Sequence, residues 1–203
     1  MTPGVDVPGS EPVIVEDSGT CAVIRLNRPA ERNPLSISTL EALYEIISAL
    51  TLRSDINKII FTGTGDVFAS GADIREVATL TSVSAREFAL RGQRLMQKIA
   101  CARALTIAAV NGYCMGGGLD LALSCRLRFA SRGAVFAHPG ARLGIITGWG
   151  GTQRLPRLIG TARALEFFTT ARRLISLEAC EIGLVDGICD PVLDCALEHP
   201  VKI

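Results

Sequence analysis

The stretch Gly116-Gly117-Gly118-Leu119-Asp120-Leu121 holds the residue types of this chain most suited to chemistry. Three glycines strip the backbone of side chains just ahead of an apolar helical run. An acid follows in the first turn. The first amides of a helix have no intrahelical acceptor and point outward. Beside a carboxylate they can hold charge that develops on a carbonyl oxygen while the acid moves a proton. A second glycine-lined helix start lies at Ala69-Ser70-Gly71-Ala72-Asp73-Ile74. Two such starts side by side aim two amides at one oxygen, and one donor of this kind is worth ~2.7–4 kcal/mol of barrier. Ala72 and Gly117 are the expected donors, because each sits at a loop–helix junction among small residues. The residues alone leave a second reading open. Glycines also permit tight helix–strand packing, and an acid such as Asp120 also serves to cap free amides.

The elements that must position these groups follow from periodicity and turn residues. Val13 to Leu26 reads as one or two strands broken near Ser18-Gly19, and Arg28-Pro29 ends the run in a turn. Ser36 to Leu52 is a helix with apolar residues at 37, 40, 43, 47 and 50. Lys58 to Gly63 and Thr106 to Val110 are buried strands, each running into glycine. Ala72 to Ala78 reads as a short helix, and Ser84 with Glu87 as the capping box of a helix ending near Ile99. Helices are expected from about 117 to 125, then over Gly150–Ile159, Thr161–Thr170, Ser176–Ile182 and Pro191–Glu198. Strands are expected over Arg126–Ala130, Ala134–Ala137 and Val185–Cys189. A strand leading through small residues to a helix occurs twice, which argues an α/β fold.

Composition bounds the function. The 203 residues are 48% hydrophobic, enough for one substantial core. Net charge is +1, so no electrostatic footprint favours nucleic acid or an anionic membrane. No apolar run approaches the ~20 residues of a membrane span. The seven cysteines are odd in number and include no C-x-x-C pair. Neither a disulfide framework nor a zinc cluster is expected, and a reducing, cytoplasmic setting fits. Residues 1–12, with three prolines, two glycines and no Lys or Arg, read as a disordered leader. There is no G-x-x-x-x-G-K-[ST], and Gly144 to Gly151 lacks the spacing of a dinucleotide fingerprint.

Phe68-Ala69-Ser70-Gly71-Ala72-Asp73-Ile74, Ile107-Ala108-Ala109-Val110-Asn111-Gly112, the glycine triplet with Leu119-Asp120-Leu121, Leu143-Gly144-Ile145-Ile146 and Gly150-Gly151-Thr152-Gln153-Arg154-Leu155 resemble the enoyl-CoA hydratase/isomerase (crotonase) family. The resemblance runs from about residue 13 to the end. It implies a spiral of ββα turns, a homotrimer or hexamer, and an acyl-CoA thioester whose oxygen sits between the amides of Ala72 and Gly117. No separate cofactor or metal is implied. Asp73, Ile74 and Arg75 would line the CoA channel, and Arg32 would meet a phosphate. The implied reaction is hydration of a 2-enoyl-CoA through an enolate. Double-bond isomerisation, or acyl-CoA and partner binding with impaired turnover, are the alternatives.

Three features depart from the hydratase pattern. The two catalytic glutamates map onto Asp120 and Gly140. Aspartate keeps the carboxylate but shortens it by one bond, ~1.5 Å. Glycine supplies no acid or base. His138 is the nearest titratable substitute, although a lone histidine is more often a structural hydrogen-bonder. Arg142 reads as a salt-bridge or CoA-phosphate partner, and Trp149 as core packing or an acyl-pocket wall. The resemblance also implies further helices beyond Ile203. Their truncation predicts exposed apolar surface near Val185 to Ala196.

Overall fold

The computed structural model describes residues 11–201. Strands β1 (Val13–Asp17) and β2 (Cys21–Leu26) form an antiparallel hairpin. A short 3-10 turn at Pro29–Glu31 leads to β3 (Pro34–Leu35) and α1 (Ile37–Leu52). Then come β4 (Lys58–Gly63), β5 (Val67–Ala69), β6 (Gly71–Ala72), α2 (Ile74–Val77) and α3 (Ser82–Ala100). The next turn is β7 (Leu105–Val110), β8 (Tyr113–Met115) and α4 (Gly117–Ser124). The last comprises β9 (Leu127–Ala130), β10 (Val135–Ala137), a 3-10 turn at Pro139–Leu143, α5 (Gly151–Ile159) and α6 (Thr161–Thr170). Strand β11 (Leu174–Ile175), α7 (Ser176–Glu181), β12 (Gly187–Ile188) and α8 (Val192–Glu198) complete the described chain.

Within each ββα turn the two main strands go to different sheets. One sheet has the order β1-β2-β4-β7-β9-β12, and a second has the order β11-β10-β8-β5. Each of the pairs β4/β5, β7/β8 and β9/β10 thus spans both sheets before a helix returns the chain. This is the expected ββα spiral. Strands β2, β4, β7 and β9 pair in parallel. Buried on both faces, β4 and β7 read as continuous apolar runs. Beneath one face lies the main core with Leu40, Leu43, Ile47, Leu95 and Ile99. On the other, Val23, Ile60 and Ile107 pack on Val192 and Ala196 of α8.

Several local expectations need correction. Ala72 does not begin a helix. It ends β6, paired in parallel with Leu35, and Asp73 caps α2 through a bond from the Arg75 amide (2.9 Å). Helix α3 opens three residues earlier than expected, with Thr81 and Ser84 forming its capping box. The expected strand over Val185–Cys189 shrinks to β12. The surface expected near Val185 to Ala196 is largely closed, since Val185, Val192 and Ala196 are buried. Lys58 anchors this region. Its Nζ donates to the carbonyls of Ala196 (3.2 Å), Leu197 (2.6 Å) and His199 (2.7 Å), capping the C-terminus of α8. Cys189 and Cys195 are joined as a disulfide, because the first turn of α8 brings Cys195 back over Cys189. Of the expected leader, residues 1–10 lie outside the described residues. Pro12 is tied to the hairpin, accepting a bond from the Asn27 amide (2.9 Å).

Among the described residues no helix is long and apolar enough to cross a membrane.

Candidate active site

The glycines of the triplet have separate reasons to be glycine. Gly116 precedes α4 with φ of 51°, a conformation L side chains rarely adopt. A Cβ on Gly117 would collide with the indole of Trp149, and one on Gly118 would meet the Ala69 carbonyl oxygen at 2.5 Å. The triplet therefore allows close packing and leaves a bare helix start.

That start lies beside β6. A Cβ on Gly117 would be 3.3 Å from the Ala72 amide nitrogen, and one on Gly71 would be 3.1 Å from the Gly117 nitrogen. Only glycines allow the two backbones to approach this closely. Both Ala72 and Gly117 line a cavity of about 310 Å³. Its other walls are mostly apolar, among them Ile74, Val77, Leu80, Phe88 and Trp149. Trp149 is wedged between α3 and α4, tilted against Phe88 with ring centroids 5.3 Å apart.

A basic groove of about 730 Å³ adjoins this cavity, and Ser70 and Pro139 line both. Arg32, Arg142 and Arg173 line the groove. Arg32 is presented by a left-handed turn, φ 66°. The next residue, Asn33, fixes that turn by donating to the carbonyls of Thr64 (3.1 Å) and Val67 (2.7 Å). Arg75 does not join these arginines. Its guanidinium pairs with Asp73 and Glu31, each at 2.6 Å. The Arg75 guanidinium also holds the Asp73 carboxyl below its usual range. Ile74 lines the cavity and is exposed.

Asp120 is fully buried on α4, a helix whose other residues are almost all buried too. It has no face on the cavity. His138, Thr147 and Trp149, which do line it, surround the carboxyl. The Thr147 hydroxyl donates to Oδ2. Asp120 Oδ1 and His138 Nε2 face each other at 3.6 Å, and neither has a hydrogen-bond partner. Burial raises Asp120 to about 6, against the opposing pull of the Thr147 hydroxyl, the Trp149 amide and Arg154. Burial lowers His138 to about 4. Gly151 lies where the two meet, and a Cβ there would run into Oδ1 and come 3.2 Å from Nε2.

Gly140 lines the cavity with its backbone drawn in. Its carbonyl accepts from the Ile145 amide (3.0 Å), and a Cβ would lie 2.5 Å from the Ile145 oxygen. The side chain that sequence reasoning missed is Thr147. Nothing in its local spacing marked it. The glycine pair at 150 and 151 was the available sign that something packs closely there.

This arrangement can bind a carbonyl oxygen between two amides, with an apolar chamber on one side and a cationic groove on the other. A family profile described as enoyl-CoA hydratase/isomerase matches residues 16–199. The chain belongs to the enoyl-CoA hydratase/isomerase family. It is 38% identical to a short-chain-enoyl-CoA hydratase of Clostridium acetobutylicum, over 88% of this chain and 69% of that protein. It is 40% identical to a crotonyl-CoA hydratase of Syntrophomonas wolfei, over 89% and 70% respectively. Among solved structures, an enoyl-CoA hydratase from Bacillus anthracis superposes with a TM-score of 0.89 at 35% identity, covering 93% of this chain and 74% of that one.

Proposed function

We propose that the protein hydrates short 2-enoyl-CoA thioesters to 3-hydroxyacyl-CoA. The observation that carries this reading is the approach of the Ala72 and Gly117 backbones at one wall of an apolar cavity. In the proposed complex their N–H groups hold the thioester oxygen, and the bond they make strengthens as the enolate forms. The acyl chain occupies the chamber beside Ile74 and Trp149, whose 310 Å³ suits a short chain. The CoA phosphates lie along the groove of Arg32, Arg142 and Arg173, where guanidinium forks match phosphate oxygens. Asp73 and Arg75 shape the channel edge through their own ion pair. The chemistry needs no cofactor beyond the CoA of the substrate, and homo-oligomeric assembly belongs to the same reading.

Crotonyl-CoA provides the test. Loss of its conjugated thioester absorbance, with 3-hydroxybutyryl-CoA as product, is the expected result. Saturable crotonyl-CoA binding without turnover would instead support a binding protein. Gly140 favours isomerisation as a second reading, because moving a double bond needs one acid–base group and no activated water. Conversion of 3-enoyl to 2-enoyl thioesters without hydration would select it.

A further inference from the structure

Gly140 lines the cavity without a side chain, and Asp120 is buried with no face on it. Some other group must face the substrate. His138 follows β10 and lines the cavity directly. It is 3% exposed, and Asp120 is 0% exposed. Two buried polar atoms without partners, turned toward each other, are costly unless the pairing is used. The 3.6 Å separation exceeds a hydrogen bond, as catalytic pairs often do before substrate binds. Gly151 keeps the space between them free of side chain.

Resting on the proposed hydration, we infer that His138 is the acid–base residue of this site and Asp120 the buried carboxylate that orients and charges it. Nε2 faces Asp120, so Nδ1 is the nitrogen left to exchange a proton with a bound molecule. Neutral Nδ1 takes a proton from water as the water oxygen bonds to Cβ. The π electrons of the Cα–Cβ bond move toward the thioester oxygen, held by Ala72 and Gly117. The imidazolium is balanced by the Asp120 carboxylate. It then returns the same proton to Cα as the enolate collapses. Water is thus added whole, and His138 ends neutral. One residue does both transfers, which accounts for a site that lacks the second acid at Gly140.

The groups facing the pair are few. The Trp149 amide, Arg154 of α5 and the Gly151 amide act on the Asp120 charge. Phe167 and Phe168 of α6 pack on the imidazole, with centroids at 5.9 and 5.0 Å. Thr147 holds Asp120 from the other oxygen.

The test uses deuterium exchange at Cα of butyryl-CoA, which needs enolisation but not hydration, alongside crotonyl-CoA hydration. Both activities should fall at least ~100-fold in His138→Gln, with the butyryl-CoA Kd within twofold of wild type. Asp120→Asn should lower both and remove the acid limb expected where Asp120 protonates, at about 6. Exchange without hydration in wild type would keep the dyad and discard the hydratase reading. Hydration and exchange undiminished in His138→Gln would discard the dyad and keep that reading. Binding without exchange or hydration in wild type would overturn both. A check free of substitution is available, because the chain has 2 histidines. Nitrogen-15 NMR at pH 7 should show His138 neutral with its proton on Nε2, and a proton on Nδ1 would overturn the assignment.

Discussion

The indole of Trp149 lies directly against the bare Cα of Gly117, at the point where α4 begins. The same ring is backed by Gly92 of α3 and Phe88. The residue that walls the apolar cavity therefore also sets where the Gly117 amide stands. Trp149→Ala should lower stability by ~3–5 kcal/mol, as large aromatic truncations in cores do. It should also raise KM and lower kcat, because the amide loses its backing. Urea denaturation and crotonyl-CoA kinetics measure the two effects. A change confined to KM would show that Trp149 serves binding alone.

Gly117→Ala tests the amide pair itself. The methyl group would collide with Trp149 and approach the Ala72 nitrogen. Turnover should fall by ~100-fold or more, the cost of one lost oxyanion donor. The companion variant Gly118→Ala places its methyl near Ala69 instead, at 2.7 Å from Cβ. It should lose stability first, which a melting curve separates from lost turnover.

Asp120 and His138 give opposite pH slopes to stability. Burial raises Asp120 from 3.8 to about 6. Its contribution to stability is complete below 3.8 and is lost as pH rises through about 6. Burial lowers His138 from 6.5 to about 4. Its contribution is complete above 6.5 and is lost as pH falls through about 4. The two slopes oppose each other across this window. Relative to wild type, His138→Gln should gain ~3 kcal/mol between pH 7 and pH 4, and Asp120→Asn should lose ~2 kcal/mol. Urea titrations at both pH values check this. Parallel curves for all three proteins would mean that neither group is held as described.

Restoring the absent acid by Gly140→Glu is a simple idea on the sequence and a poor one in the fold. The new Cβ would meet the Ile145 carbonyl at 2.5 Å, within a turn closed by the Ile145 amide. The variant should lose ~1–3 kcal/mol through overpacking and gain no hydratase activity unless the 140–146 loop moves. A stable variant with raised hydration would show that the loop adapts.

Lys58→Met should release the end of α8. Three carbonyls lose a charged donor, which costs ~1.5–3 kcal/mol for hydrogen bonds of this type. Amide exchange over residues 192–199 should quicken while the core of β4 and β7 stays protected. Uniform exchange loss across both regions would indicate global destabilisation instead.

The sequence by itself determined the local elements and the chemistry available. Apolar runs at Lys58–Gly63 and Thr106–Val110 marked buried strands, because a strand covered on both faces has no polar side. Ser36 capped α1 as its hydroxyl requires, accepting from the Thr39 amide at 3.2 Å. The glycine triplet marked a backbone that something must approach. Two-residue pairings such as β3 with β6 left no periodic trace, so Ala72 read as a helix start when it is a strand end. Only the tertiary structure decided that Ala72 and Gly117 meet, since they come from different turns of the spiral. Only it brought Asp120 of α4, His138 after β10 and Gly151 of α5 to one buried point. Residue type fixes what a side chain can do, but a neighbour 18 or 31 positions away in sequence is set by packing alone. That packing buried Asp120 and set His138 beside it at the cavity wall.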